Sequence, residues 1–408
     1  MNRTHRAPYR RLTQAAGVAV LALLSVLVAP PSARADHAVL GEPEADAVLG
    51  RPVTFRTALE ADAPPDGVEL LLSLPGERQT SVIPAQLREV GGGWQAEATV
   101  DGHVPPNTRF SYRFRLRHPD ADAVLGRAAD AVLTDERFTW RTIEGQIVRL
   151  HWYQGDEAFA QRALEVGERA IEQASGLLGV TESAPIDFFI YDSEDALRTA
   201  LGPGTRENVA GQAHSDIRTL FGLIEPFEVG SDWVETLVTH EMTHLVFDTA
   251  TDNPYHRPPR WLNEGVAVYL SEGYDDRWRG VINEAVRRRT VIPLDGLGGL
   301  FPTTREQFEL AYAEGVSAVN FFIETYQEET FWNLVRSYAE GVSDDDAFVA
   351  ATGADLAAFN AAWLASLGVE VPQPIGPRPA PPGPLPPGWE VAQPTPAAGA
   401  GQTDRPAG

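Results

Sequence analysis

Two histidines, His240 and His244, lie one helical turn apart in a segment whose apolar residues recur at helical spacing. The apolar residues of this segment are Trp233, Val234, Leu237, Val238, Leu245 and Val246. Side chains at positions i and i+4 project from the same side of an α-helix, so the two imidazoles are predicted to stand one above the other. Two imidazoles placed in this way can bind one tetrahedral zinc ion through bonds of about 2.0–2.1 Å. The pattern therefore predicts a helix that carries two ligands of a metal site.

Two glutamates complete the predicted site. Glu241 lies one step round the helix from the histidines, where its carboxylate can reach a water on the metal without ligating the metal itself. Glu264 lies in a second predicted helix, residues 258–270, which is otherwise largely apolar. Buried carboxylates are rare unless they are paired or metal-bound, so Glu264 is the predicted third ligand. Three protein ligands leave the fourth position of zinc open, as in catalytic rather than structural sites.

The sequence His240-Glu-Met-Thr-His244, followed by Glu264 within Trp-Leu-Asn-Glu-Gly, resembles the gluzincin metallopeptidases, specifically the bacterial peptidase MA-like domain. The resemblance covers about residues 146–368. It implies a zincin-like fold and one zinc ion per chain, held by His240, His244 and Glu264. It also implies peptide or protein substrates, with Glu241 as the general base that assists attack of a zinc-bound water on the peptide bond.

The reaction also needs a group that stabilises the oxyanion of the tetrahedral intermediate. Gluzincins often use a tyrosine or a histidine for this purpose. The resemblance therefore makes Tyr312, in a helix predicted to be amphipathic, the first candidate, with His214 and His256 as alternatives. The competing interpretation is that Tyr312 is a core aromatic residue whose hydroxyl has a structural partner.

Two departures from related families bear on the site and on specificity. Thermolysin-like enzymes have an aspartate four residues after the third ligand, and this chain has Val268 there, so the ligands must be oriented by other residues. Aminopeptidase-N-like enzymes use a Gly-x-Met-Glu-Asn loop to bind the substrate amine, and this sequence has none. An endopeptidase is therefore favoured. If the strand predicted near residues 219–224 is an exposed edge, an extended peptide could add to it.

Two domains of different kinds are predicted, which places the chain in the α+β class. Residues 36–145 alternate apolar and polar residues between turn signals, which predicts an all-β, immunoglobulin-like sandwich. Its clearest run has one apolar face, formed by Phe110, Tyr112, Phe114 and Leu116. Phe138 and Trp140 are assigned to a later strand. Residues 146–369 are predicted to form the zinc metallopeptidase domain, with a small mixed sheet and several helices.

The predicted terminal segments lie outside these two domains. Residues 1–35 combine arginines, an apolar run and the small-residue triplet Ala33-Arg34-Ala35, which is typical of a signal peptide cleaved after Ala35. A retained N-terminal anchor is the alternative. Residues 370–408 are rich in proline and are predicted to be disordered. We therefore expect a bacterial protein that is secreted or held at the cell surface, without stable membrane insertion after cleavage.

Composition excludes several classes of function. A formal net charge of −24 argues against nucleic-acid binding, which needs basic patches that neutralise phosphates. The same charge argues against anchoring on anionic lipid. The absence of cysteine excludes both disulfides and a thiolate zinc site. Composition leaves the oligomeric state open.

Two further functions remain compatible with these patterns. The chain could be a zinc-binding pseudoenzyme or surface binding protein, in which the sandwich recognises a partner and the zinc domain is a scaffold. It could also be a zinc hydrolase that acts on a substrate other than a peptide.

Overall fold

The computed structural model describes residues 38–61, 65–117, 122–203 and 210–371. The chain divides into two units, one containing residues up to 103 together with 108–134, and the other containing 104–107 together with 135 onward. The predicted signal segment, residues 1–35, lies outside the described residues, as does the predicted tail from residue 372 onward.

The first unit consists of antiparallel strands in two sheets. Its strands are β1 Val39–Asp46, β2 Val53–Glu60, β3 Gly67–Ser73, β4 Ser81–Pro84, β5 Gln86–Val90, β6 Gly93–Val100, β7 Arg109–Arg117, β8 Val124–Leu125 and β9 Ala129–Val132. One sheet has the order β1-β2-β6-β5, and the other has the order β4-β3-β7-β8, with β9 also paired to β7. The predicted all-β domain is confirmed.

The core of the first unit lies between the two sheets. Alternate residues of β7, namely Phe110, Tyr112, Phe114 and Leu116, are at most 5% exposed, as their spacing predicts. Phe55 of β2, in the other sheet, packs on Phe110 and Tyr112 with ring centroids 5.8 and 4.7 Å apart. The apolar faces of the two sheets therefore bury each other, which is the arrangement of a β-sandwich.

The second unit combines a mixed sheet with nine described α-helices. The strands are β10 Arg141–Glu144, β11 Val148–Trp152, β12 Ile186–Tyr191, β13 Gly211–His214 and β14 Thr219–Leu223. The helices are α1 Glu157–Leu178, α2 Glu194–Leu201, α3 Asp232–Thr251, α4 Arg260–Ser271, α5 Asp276–Arg288, α6 Arg305–Tyr326, α7 Glu328–Ser337, α8 Asp344–Thr352 and α9 Leu356–Ser366. The sheet order is β10-β11-β12-β14-β13, with parallel pairing in the centre and antiparallel pairing at both edges. The predicted α+β class is confirmed.

The boundary between the units differs from the prediction at residue 145, since the structure places it after Thr134. β10 pairs with β11, and it therefore belongs to the sheet of the second unit. Phe138 and Trp140 are not in a strand, and their rings lie 3.9 and 5.0 Å from the ring of Tyr153 in the second unit. The two aromatic residues alternate with polar ones as in a strand, but they do so because both rings pack on Tyr153.

Helix α6 lies at the centre of the helical layer. The residues from Ala313 to Val319 are all buried, and the helix packs against α4, α5 and α7. This central part of α6 is buried all round and is therefore not amphipathic, so the prediction of an amphipathic helix was wrong for it; exposed residues lie only towards the ends of the helix, at 305–307, 309 and 324–325. Small residues such as Gly315 and Ser317 explain the difference, because they let neighbouring helices approach on every side.

Within the described residues, no single helix has the length and apolar composition that a membrane span needs. Helices α8 and α9, which are bent by 67° relative to each other, meet that criterion only as a pair.

Candidate metal centre

Three potential ligand atoms converge where α3 passes α4. His240 Nε2 and His244 Nε2 lie 3.2 Å apart, and they lie 3.6 and 3.4 Å from Glu264 Oε2. In a tetrahedral zinc site, bonds of about 2.0–2.1 Å separate the ligand atoms by about 3.3–3.4 Å. The three observed separations are close to this value, so the three atoms already form one face of such a tetrahedron. The predicted ligands are brought together, although they come from two different helices.

A close helix crossing holds Glu264 at this position. Gly265 of α4 faces Gly315 of α6, and a Cβ added to Gly265 would lie 2.6 Å from the Gly315 carbonyl oxygen. A Cβ added to Gly315 would lie 2.8 Å from the carbonyl oxygen of Trp261. Only glycine permits so close an approach of two backbones. The packing of α4 on α6 therefore determines where the carboxylate of Glu264 lies relative to α3.

The two oxygens of Glu264 have different surroundings. Oε1 accepts hydrogen bonds from Arg260 Nε at 3.1 Å and from Arg260 Nη2 at 3.0 Å. Oε2 is buried and accepts no hydrogen bond within the described part of the chain. Leaving a buried carboxylate oxygen without a partner is costly, and a cation beside the two imidazoles would remove that cost. The donor set therefore fits a divalent metal ion such as zinc.

The ionisation of the site is set by its internal contacts. Burial alone would raise the pKa of Glu264, but the close approach of His240 and His244 outweighs burial and holds that pKa well below its ordinary range. Burial alone would lower the pKa of His244, but the contact with Glu264 outweighs it and raises the pKa of His244 to about 9. Without metal, a proton on His244 compensates the charge of Glu264. Metal ligation needs the neutral imidazole, so metal binding displaces this proton.

Asn263 orients one of the imidazoles. Its Oδ1 lies 2.7 Å from His244 Nδ1, on the opposite side of the ring from Nε2. An amide oxygen accepts a hydrogen bond from Nδ1–H, which assigns the lone pair of the neutral ring to Nε2. Val268 stands where thermolysin-like enzymes have an orienting aspartate. For His244, the orienting role is taken by the residue directly before Glu264.

The three candidate ligand atoms form a ligand triangle, and Glu241 lies beside this triangle without being part of it. Its Oε2 accepts a hydrogen bond of 2.8 Å from the backbone N–H of Ala213 in β13. The strand predicted near residues 219–224 is β14, and the condition that it be an exposed edge is not met, because β14 lies between β12 and β13. The edge strand next to α3 is β13, and its Ala213 amide points out of the sheet towards Glu241.

Tyr312 lines the same cleft, and the two alternative histidines do not. The Tyr312 ring lies 6.0 Å from the ring of His240, and burial, followed by the nearby charge of Glu264, raises the pKa of its hydroxyl. His256 instead pairs with Asp344 through a contact of 2.9 Å. His214 packs edge-on against Phe221, with ring centroids 5.4 Å apart. Among the three candidates, the arrangement favours Tyr312.

The ligand triangle opens into a cleft of about 720 Å³. Its walls include β13, α3, α4 and α6, and its lining includes Asp248 and Phe308 in addition to the predicted site residues. Three features of the site were not predicted from the sequence, namely the contact of Arg260 with Glu264, the hydrogen bond that Asn263 accepts from His244 and the edge strand β13. Arg260 precedes Glu264 by four residues on the same helix, and this spacing was a signal that could have identified it.

Comparison with known proteins places this geometry in a family. The family model of the Peptidase MA superfamily matches residues 167–369, a span that contains the three candidate ligands and Glu241. No curated protein matches the chain. Among solved structures, the chain is similar to an aminopeptidase N family protein from Idiomarina loihiensis, with 11% identity over 74% of this chain and 72% of that chain and a TM-score of 0.40. It is also similar to an M1 zinc metallopeptidase from Deinococcus radiodurans, with 13% identity over 84% of this chain and 97% of that chain and a TM-score of 0.36. The domain that contains residues 167–369 therefore belongs to the Peptidase MA superfamily.

Proposed function

We propose that this protein is a zinc-dependent peptidase. The observation that carries the proposal is the triangle of His240 Nε2, His244 Nε2 and Glu264 Oε2, with separations of 3.2–3.6 Å, at the wall of an open cleft. The buried oxygen of Glu264 has no hydrogen-bond donor among the described residues, which supports a cation as its partner. Membership of a peptidase superfamily supports peptide substrates.

Glu241 is the proposed general base. Bound zinc would supply Lewis acidity towards the scissile carbonyl and a more acidic water. The carboxylate of Glu241 would accept the proton of the attacking water and then deliver that proton to the leaving amine. Its hydrogen bond from Ala213 holds the side chain at the cleft and keeps it out of the ligand triangle.

Tyr312 is the proposed oxyanion stabiliser. Because burial raises the pKa of its hydroxyl, the side chain stays protonated at neutral pH and can donate a hydrogen bond. A donor that is already in position when charge develops on the carbonyl oxygen contributes to catalysis without reorganisation. The wall shared with His240 supports this role, since it places the hydroxyl on the same cleft as the ligands.

The proposed substrate-binding element is β13. An edge strand has unpaired backbone groups to which an extended peptide can add as a further strand. The hydrogen bond that the Ala213 amide donates to Glu241 brings β13 beside the reacting groups, which supports an alignment of such a peptide along them. We favour internal cleavage because the sequence lacks the Gly-x-Met-Glu-Asn loop that binds a free amine in aminopeptidase-N-like enzymes. Cleavage of peptides blocked at the N-terminus tests this preference, and activity confined to unblocked peptides would reject it.

Glu241→Gln is the decisive test of the mechanism. The amide keeps the size of the side chain and leaves all three ligands intact, so zinc content should stay at the parent level. Hydrolysis should fall by about 10²–10⁴-fold, because the amide cannot accept the proton. Metal analysis and turnover of an unfolded protein substrate measure the two effects. Parent-level hydrolysis by this variant would exclude Glu241 as the base, and a parent protein without bound zinc would reject the proposal as a whole.

We also propose that the protein acts outside the cytoplasm, as a secreted or surface-held form. The signal-like pattern of residues 1–35 supports this proposal. N-terminal sequencing of the protein from cells and from medium tests it, and a chain that starts at Met1 and is confined to the cytoplasm would contradict it.

A further inference from the structure

We propose that Arg260 is a positioning residue that fixes Glu264 as a ligand through one oxygen only. Arg260 contacts Oε1 through two donors, Nε and Nη2, at 3.1 and 3.0 Å. Both donors go to the same oxygen, which leaves Oε2 as the oxygen that faces the imidazoles. This inference rests on the proposed zinc site and goes beyond it, because it assigns a function to a residue that ligates nothing.

Arg260 is itself held at both ends. Its backbone N–H donates to the carbonyl oxygen of Gly298 at 3.0 Å, which anchors the first residue of α4. Its guanidinium lies over the ring of Phe301, 4.7 Å from the centroid. Phe301 is only 2% exposed and packs edge-on against Tyr312, so this platform cannot move freely. The guanidinium is therefore presented to Glu264 in one fixed orientation.

The position of Arg260 is unfavourable for helix stability, which points to another reason for its presence. Arg260 is the first residue of α4, where the positive end of the helix dipole repels a cation. A basic residue four positions before an acidic residue is also the weaker order for an ion pair on a helix. The contact is partly buried, with side-chain exposures of 34% for Arg260 and 9% for Glu264. Holding the carboxylate accounts for a placement that helix energetics disfavours.

Two consequences follow for the metal site. A carboxylate whose outer oxygen is bound by a guanidinium cannot rotate to offer both oxygens to the metal, so ligation stays with a single oxygen and the fourth position is kept open. The guanidinium also draws negative charge away from Oε2, so the metal keeps more of its Lewis acidity. Arg260 would thus raise metal affinity by pre-orienting Glu264, and would raise turnover without contacting the substrate.

Zinc affinity, measured by competition with a chromophoric chelator, tests the proposal on the full chain. Arg260→Gln should lower zinc affinity by about 10–100-fold, the range typical for residues that orient metal ligands. At saturating zinc, kcat should fall while KM changes little, because Arg260 acts on Glu264 and not on the substrate. Arg260→Lys should recover part of the affinity, since an ammonium provides the charge but not two donors in a fixed plane.

Arg277→Gln is the matched control. Arg277 also pairs with a glutamate, Glu272 at 3.0 Å, and also lies over an aromatic ring, that of Trp278 at 4.2 Å. It lies on α5, outside the lining of the cleft, so its loss should leave zinc affinity unchanged. Parent affinity in Arg260→Gln, or an equal loss in Arg277→Gln, would overturn the proposal. If Arg260→Gln does not fold, Arg260→Lys decides: intermediate affinity supports the two-donor contact, and full parent affinity overturns it. Failure of the parent protein to bind zinc would reject the proposed function instead.

Discussion

Three glutamates of the second unit have different chemical roles because their surroundings differ. Glu264 is buried beside a guanidinium and two imidazoles, and the imidazoles outweigh burial and hold its pKa far below its ordinary range. Glu241 faces the cleft and accepts a backbone hydrogen bond, which leaves it available as a base. Glu314 is fully buried on α6, and burial raises its pKa to about 8, although a hydrogen bond from the backbone of Ile292 opposes that effect. Under the proposed function, the same type of side chain therefore serves as a ligand, a base or a neutral core residue.

Glu314→Gln tests this interpretation through the pH dependence of stability. The pKa of Glu314 is about 8 in the folded state, whereas the ordinary pKa of a glutamate side chain, which applies to the unfolded chain, is 4.5. Between these values the folded chain keeps a proton that the unfolded chain has lost, so its stability falls as pH rises, by about 1.4 kcal/mol per pH unit, and levels off above pH 8. The amide has no proton to lose. We therefore expect the free energy of unfolding of the variant, relative to that of the parent, to rise by roughly several kcal/mol between pH 5 and pH 8. Urea unfolding at the two pH values measures this difference.

Glu309→Gln on the same helix is the control, because its side chain is 45% exposed. It should leave the pH dependence of unfolding unchanged. Parallel curves of stability against pH for Glu314→Gln and the parent would contradict the assignment of a protonated carboxyl to the core.

At the scale of elements, the site depends on how closely α4 packs on α6. Gly265→Ala would place a methyl group 2.6 Å from the Gly315 carbonyl oxygen, so the helices must move apart. Overpacking of this kind costs about 1–3 kcal/mol. Because Glu264 is the neighbouring residue, the movement should also carry Oε2 away from the imidazoles and lower zinc affinity. Denaturant unfolding and chelator competition on the same preparation measure both losses.

Gly280→Ala is the matched control on α5. A Cβ at Gly280 meets no heavy atom within 4 Å, so alanine should stabilise the protein by up to about 1 kcal/mol through helix propensity. Zinc affinity should not change. If Gly265→Ala were as stable as the parent and bound zinc equally well, the close crossing would have no part in building the site.

The sequence predicted the elements whose side chains carry a strong period. Helices α3 and α4 follow from apolar spacing together with His240, His244 and Glu264, and β7 follows from alternation. These patterns arise because one face of each element is buried, so apolar residues recur in the sequence with the period of that element. The convergence of the three candidate ligand atoms could be predicted because two histidines one helical turn apart and a glutamate in an apolar helix together form the donor set of a metal site.

Other features could not be predicted because their cause is tertiary. β13 has only four residues, Gly-Gln-Ala-His, with no alternation, and it is a strand only because β14 lies beside it. Phe138 and Trp140 alternate like strand residues, yet they lie outside any strand and pack on Tyr153 of the same unit. The central position of α6 depends on the helices that surround it. In each case the local sequence pattern is weak or misleading, and packing against a neighbouring element determines the structure.

At the scale of the whole molecule, each of the two units has its own core, and the candidate metal centre found among the described residues lies in the second. A ligand that binds the folded state alone stabilises it by about 2.7 kcal/mol when its concentration is 100 times the Kd. Zinc should therefore stabilise the second unit and leave the β-sandwich unchanged. For a domain of this size the gain corresponds to a rise in Tm of roughly 5–10 °C.

Calorimetry with excess zinc and then with EDTA measures this effect. We expect two unfolding transitions, of which one moves down on chelation and the other stays. His244→Ala assigns the moving transition, because removal of one ligand should make that transition insensitive to zinc while leaving the other in place. If neither transition moves, zinc does not bind the folded second unit. If both move together, the units unfold cooperatively, and the stabilisation by zinc is shared by the sandwich.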